Sequence, residues 1–221
     1  YCSEIGLKKR KSFNAETYWA KPVPAFGDKN AKMLVVGLAP SAHGANRTGR
    51  MFTGDNSGVW LYRALYRESF STNLVSENKS DGLQLNEALI TAIVKCAPPQ
   101  NKPLPNEIST CTKFLESEIL SLNKLKVIVC LGALAWKQTT KTLKKLDYKT
   151  SNGDKLWPCF SHGQKLELLK KAPDRGDPDD VHLVVLASYH PSQQNTFTGK
   201  LRDDQFQNVF RMARQTILET S

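Results

Sequence analysis

The chain has 221 residues, 40% hydrophobic and 24% charged, with a formal net charge of +10. That length suits one domain spanning 1–221, and no apolar run approaches the roughly 18 residues of a membrane span, which excludes a helical membrane protein. Five cysteines, an odd count, argue against a secreted disulfide framework and for an intracellular protein whose thiols are reduced or bind metal.

The basic balance points to a polyanionic partner, because a positive surface attracts phosphate backbones and releases their counterions; a basic protein without a nucleic-acid role is the alternative. The first residue is Tyr1 rather than Met, so upstream residues are expected.

Lys32–Gly37 (KMLVVG) is a continuous apolar run ending in glycine, the pattern of a strand buried on both faces. Helical periodicity follows at Ser57–Tyr66, then a second strand at Ala88–Val94 and a helix at Pro105–Leu122. A third strand is expected at Lys126–Gly132 and a helix at Ala133–Leu146. Lys149–Asp180, richer in Gly, Pro, Asp and Lys, reads as an insertion or irregular crossover. The fourth strand is His182–Ser188 and the last helix Asp203–Leu218. Four strands alternating with helices make an α/β sandwich around a mostly parallel four-stranded sheet. In such sheets the loops at the strands' carboxyl ends form the ligand site, so His43–Asp55, Cys96–Pro105 and His190–Leu201 should meet in one cleft.

The first loop contains GANRTG (Gly44–Gly49), with the glycine spacing of a phosphate-binding P-loop. Arg50 and Met51 stand where that motif needs Lys and Ser or Thr, so an NTPase is disfavoured. Asn46, Arg47 and Arg50 then serve DNA phosphates, or the arginines pair with acids inside the fold. In the second loop a carboxamide at Asn101 complements a base edge, or satisfies loop backbone groups. In the third, His190 donates to charge on a leaving group or structures the turn before Pro191, and Ser192, Gln193 and Asn195 suit phosphate oxygens.

Together, GLAPSAHGANRTGRMFTGDNSG (Gly37–Gly58), KCAPPQNKP (Lys95–Pro103) and YHPSQQNTFTGKL (Tyr189–Leu201) closely resemble the signature stretches of the family 5, or type B, uracil-DNA glycosylases. YWAKPVPAFGD (Tyr18–Asp28) resembles the segment preceding the family's first strand. The resemblance implies a three-layer α/β fold and release of uracil, and often of hypoxanthine and xanthine, from DNA in base-excision repair. It implies that Asp55 is the catalytic acidic residue, that Asn101 contacts an extruded base, that Phe52 stacks on it and that His190 sits beside it. The chemistry is consistent: a base is unreachable inside the duplex and must be flipped into a pocket with a stacking wall and polar edge groups. Cleaving its glycosidic bond leaves an oxocarbenium-like sugar and an anionic base, so a carboxylate can stabilise the cation or orient water.

A cap for the helix starting near Ser57 is the lesser reading of Asp55, and His43 reads equally as pocket-lining or structural. Related glycosylases often carry an acid within the first motif; here Leu38 stands there, which shifts the burden to Asp55. No lysine is placed as an amine nucleophile, so the enzyme is expected to be monofunctional. Cys96 and Cys111 match two of the four ligands of the family's [4Fe–4S] cluster. Near the amino terminus only Cys2 is present, so the fourth ligand lies upstream or the cluster is incomplete. Cys130, inside an apolar strand, reads as a buried hydrophobe, and Cys159 is uncommitted. A monomer acting on DNA, without membrane association, is expected. The reading from a different class is a nucleic-acid-binding iron–sulfur protein that keeps the scaffold without glycosylase activity.

Overall fold

A computed structural model describes residues 1–153, 155–171 and 181–220. Two short elements open the chain, helix α1 (Cys2–Leu7) and a 3-10 turn at Lys11–Phe13. Next come β1 (Phe26–Gly27), β2 (Met33–Gly37), α2 (Ala45–Thr48), α3 (Asn56–Arg67), β3 (Ala88–Ala92) and a second 3-10 turn at Pro99–Asn101. The remainder runs α4 (Pro105–Ser121), β4 (Val127–Leu131), α5 (Ala133–Lys145), β5 (Lys149–Thr150), β6 (Lys165–Lys170), β7 (Val181–Ser188), α6 (Gln193–Phe197) and α7 (Asp203–Glu219). None of the described helices is long and apolar enough to cross a membrane.

The four strands expected from apolar runs form the parallel centre, in the order β3-β2-β4-β7. Val35 lies opposite both Ile90 and Val129, and β2, β3 and β4 are buried along their whole length, as a sheet covered on both faces requires. The sheet has seven strands rather than four: β1 adds antiparallel to β3, and β6 and β5 extend the other side antiparallel to β7. The stretch taken for an insertion therefore supplies an edge hairpin. In β6 (KLELLK) the burial alternates because one face packs inward, a period of two that the surrounding Gly, Pro and Lys obscured. Residues 154 and 172–180 of that stretch lie outside the described set.

Helices cover the sheet on both sides, giving the three layers. On one face Leu61, Leu65, Phe206 and Phe210 of α3 and α7 pack on Val35, Ile90 and Val129. On the other, Leu115 and Ile119 of α4 and Trp136 and Leu143 of α5 pack on Leu34, Ile128 and Val185. Each such fully buried side chain contributes about 1.5–3 kcal/mol, so the parallel centre is a stiff base for the loops at its carboxyl ends. Pro105 opens α4 with its φ already helical, and the Glu107 carboxylate accepts the Leu104 N–H at 2.7 Å, which fixes where the second loop ends.

Candidate active site

A cleft of about 670 Å³ lies at the carboxyl edge of the parallel strands. All three expected loops contribute to it: His43, Phe52 and Asp55 from the first, Asn101 from the second, and His190, Ser192 and Gln193 from the third. Gly54, Asn56 and Gln194 also line it, together with Arg10 and Phe13 from the amino-terminal segment.

Asp55 occupies the N-cap of α3, where one carboxylate oxygen accepts the Gly58 N–H at 3.0 Å. The other accepts a short hydrogen bond from the Ser41 hydroxyl. Asp55 is thus a cap, as one reading of the sequence has it, with Ser41 on its second oxygen, and it still lines the cleft. A Cβ at Gly44 would come 2.5 Å from Asp55 Oδ2 and 2.3 Å from Ser41 Oγ, so this glycine makes room for the pair.

Phe52 has a left-handed backbone (φ +53), a conformation a phenylalanine holds only where its surroundings enforce it. Its ring lies over Gly37, at the end of β2, where a Cβ would fall 2.8 Å from ring atoms Cε2 and Cζ, so this glycine makes room for it. The Phe52 ring stacks against His190, with centroids 5.9 Å apart at 29°. Burial pushes the His190 imidazole below its usual range, with the nearby Asp55 carboxylate acting in the opposite sense. The ring is neutral at pH 7, and neither of its nitrogens has a hydrogen-bond partner among the described residues.

Asn101 follows Gln100, and both are left-handed, at φ +56 and +53. Its side chain is exposed to the cleft and makes no hydrogen bond among the described residues, so the carboxamide does not serve the loop's own backbone. The loop is fixed from behind by Lys95. This lysine is buried against Glu118 at 2.7 Å and bonds the Thr91 hydroxyl, while its carbonyl accepts from Val23 N–H at 2.7 Å. His43 is tied by Nδ1 to the Tyr18 hydroxyl at 2.9 Å and still lines the cleft.

The first loop's polar residues expected on DNA sit elsewhere. Arg50 is 4% exposed, binds both oxygens of Asp81 at 2.7 and 2.9 Å and lies over Phe26, which is the acid-pairing alternative. Burial alone would push the Asp81 carboxyl up, but Arg50 and the Leu83, Glu77 and Asn78 N–H groups hold it below its usual range. Arg47 pairs with Glu16, covers Phe13 at 4.0 Å and donates to the His43 carbonyl at 2.8 Å. Asn46 is fully buried, its amide reaching the Cys2 and Ala42 carbonyls at 3.4 Å, so it is out of a phosphate's reach. These three residues are corrected to framework positions off the cleft lining, although the buried Asn46 Oδ1 has no partner among the described residues.

In the third loop Ser192 caps α6, accepting from Asn195 N–H at 3.4 Å, and Asn195 donates to the His190 carbonyl at 2.8 Å. Asn195 thus shapes the turn, whereas Gln193 and Gln194 present exposed side chains at the cleft. The sequence reading missed Ser41, Arg10 and Phe13; only the KKRK run around Arg10 gave any sign of the last two.

Cys2, Cys96 and Cys111 gather at a corner beside the second loop. The Cys2 sulfur accepts the Ala97 N–H at 3.0 Å. Desolvation, then the neighbouring Cys2 thiol and Cys111, push Cys96 up to about 11. Among the described residues no group of three His, Cys, Asp or Glu is spaced to hold a metal ion. Cys130 is buried in β4, as expected, and burial raises it to about 12.

The family model of the uracil DNA glycosylase superfamily matches residues 24–214. The chain belongs to this superfamily. The type-5 uracil-DNA glycosylase of Mycobacterium tuberculosis (strain CDC 1551 / Oshkosh) is 42% identical over 213 residues, covering 96% of this chain and 73% of that protein. The corresponding type-5 enzyme of Thermus thermophilus is 41% identical over 207 residues, 94% of this chain and 85% of its own length. A type-4 uracil-DNA glycosylase of Thermotoga maritima is 34% identical over 169 residues, 75% of this chain and 67% of its own length. Superfamily membership and these type-5 relatives agree with the family resemblance of the three loops.

Proposed function

We propose that the protein is a DNA glycosylase that hydrolyses the bond between deoxyribose C1′ and a deaminated base, uracil first and hypoxanthine and xanthine as well. The observation that carries this reading is the convergence of Phe52, Asp55, Asn101 and His190 on one cleft. Within it the Asn101 carboxamide and the His190 imidazole have no hydrogen-bond partner among the described residues. The extruded base stacks on Phe52, and Asn101 offers one acceptor and two donors to its edge. As the C1′–N bond breaks, its electron pair leaves with the base, and an N–H of neutral His190 stabilises the developing oxyanion. Asp55 faces the cationic sugar and orients the water whose oxygen bonds to C1′, taking the proton that this water loses. Arg10 is the only cation among the cleft-lining residues and Lys95 is held by Glu118, which supports a monofunctional enzyme that leaves an abasic site.

Cys2, Cys96 and Cys111 are proposed as three thiolates of a [4Fe–4S] cluster. Soft sulfur ligands suit iron–sulfur chemistry, and the role assigned is structural, since the reaction has no redox step. The three residues come from α1, the second loop and α4, so tying them together would brace the loop that carries Asn101. Iron and sulfide content of the purified protein, compared with that of Cys111→Ser, tests the assignment.

The deciding assay is single-turnover release of base from duplexes bearing one uracil, hypoxanthine or xanthine, read as strand breaks after alkali. Breaks that require alkali are expected. Asp55→Asn keeps an N-cap acceptor for α3, so the fold should persist while base release falls on the order of 10²–10³-fold and DNA binding remains. Unchanged release in that variant would overturn the role of Asp55.

A further inference from the structure

A second concavity, about 840 Å³, lies between α4 and α5. It opens at the edge that carries the cleft: Pro103 and Pro105, at its near end, follow Asn101 in the chain, and Leu134 follows Gly132, against which His190 rests. From there both helices lead back along the sheet, away from the edge. Lys113, Lys137, Lys141 and Lys145 line the groove, against a single carboxylate, Glu116, which Lys145 already neutralises at 2.6 Å. Lys113, Lys137 and Lys141 have no ion-pair partner among the described residues. On α5 the lysines stand four residues apart, so they form one stripe along the groove.

We propose that this groove carries the single-stranded flank of a DNA substrate, its phosphates on Lys113, Lys137 and Lys141, while the cleft holds the base. The proposal rests on the DNA glycosylase reading and adds to it a path for the strand. Charge complementarity selects a polyanion. Width selects a single strand: helices packed side by side lie about 8–10 Å apart, and the groove between them is too narrow for a duplex. Direction selects it again, since a duplex lying along the edge would need a sharp bend to enter, whereas a single strand turns freely. No aromatic side chain lines the groove, so binding runs through phosphate rather than base stacking and carries no sequence preference. Between Pro105 and Glu116 the groove is ~17 Å long at the helical rise per residue. That length suits on the order of four nucleotides, the lower end of single-strand site sizes.

The test uses single-stranded uracil oligonucleotides extended on the 5′ or the 3′ side of the uracil, with binding read by fluorescence anisotropy and compared with the unextended oligonucleotide. The same set is repeated without uracil, so that the tail is measured independently of base release. Extension on one side should tighten binding until about four nucleotides have been added and then level off. In Lys137→Glu/Lys141→Glu that gain should disappear, and the slope of log affinity against log salt should fall by about 1.4, or ~0.7 for each phosphate no longer neutralised. Lys124→Glu, a charge change in the turn between α4 and β4 and outside the groove lining, should keep the gain.

Equal gain from both sides, or an equal weakening of duplex and single-strand binding in the double variant, would overturn the proposal in favour of diffuse electrostatic attraction. A polyglutamate peptide that binds the parent but not the double variant, with no tail effect in either, would overturn it in favour of an acidic protein partner. Tail binding without base release would leave the groove standing and refute the glycosylase reading instead.

Discussion

At the scale of single residues the cleft depends on close approaches as much as on reactive groups. Phe52 has a left-handed backbone, and its ring lies directly on Gly37. A methyl group there would drive the ring toward His190, into the space a base would occupy. Gly37→Ala is therefore expected to raise KM for a uracil-containing duplex at least tenfold while the fold persists, read by steady-state kinetics with Tm as the control; a wild-type KM would show that Phe52 does not form the stacking wall. That these side chains share one cleft was legible from the sequence, since Asp55, Asn101 and His190 each follow a strand within a distinctive loop. Their fixings were not. Ser41 is an ordinary loop serine until the fold sets its hydroxyl on Asp55, and Arg50 looks like a phosphate ligand until Asp81, 31 residues away, is brought beside it. Long-range pairing leaves no local pattern to read.

Among the elements, the four central strands and the four long helices lie within two residues of their expected bounds, because burial on both faces and helical periodicity mark long segments strongly. The additional strands escaped notice for physical reasons. β1 and β5 have two residues each, too few to show a period, and β6 is buried on alternate positions within polar surroundings. The buried ion pair between Arg50 and Asp81 links the first loop to the segment between α3 and β3. At 4% and 11% side-chain exposure this pair is the kind whose breaking strands a charge, which typically costs about 3–5 kcal/mol. Arg50→Ala should accordingly lower Tm by on the order of 10 °C, measured by scanning calorimetry at neutral pH. A change of under about 2 °C would mean that Asp81 finds water or another cation instead.

For the molecule as a whole, acid should act in two stages. His162 and His190 both titrate below the ordinary imidazole value of 6.5 because burial disfavours their charged forms. The unfolded chain then binds more protons than the native one, so stability declines as pH falls below 6.5 toward the native pKa values. Asp81 and Glu87 are shifted down by their partners, so their contribution is present above the ordinary carboxylate range and is lost only at more acid pH. Chemical denaturation between about pH 8 and 5 should show the first decline, and His162→Gln should lessen it; a flat profile through about 6 would mean both rings stay accessible to protons. The positive charge of +10 has its own consequence, a DNA affinity that falls steeply with salt. The walls of the cleft come from residue 10 at one end and residue 194 at the other, with the intervening strands as their support. No fragment shorter than residues 10–194 contains them all. During synthesis, a ribosome-bound protein is therefore inert toward DNA until α6 has emerged and β7 has joined the sheet, so an incomplete chain cannot leave abasic sites behind.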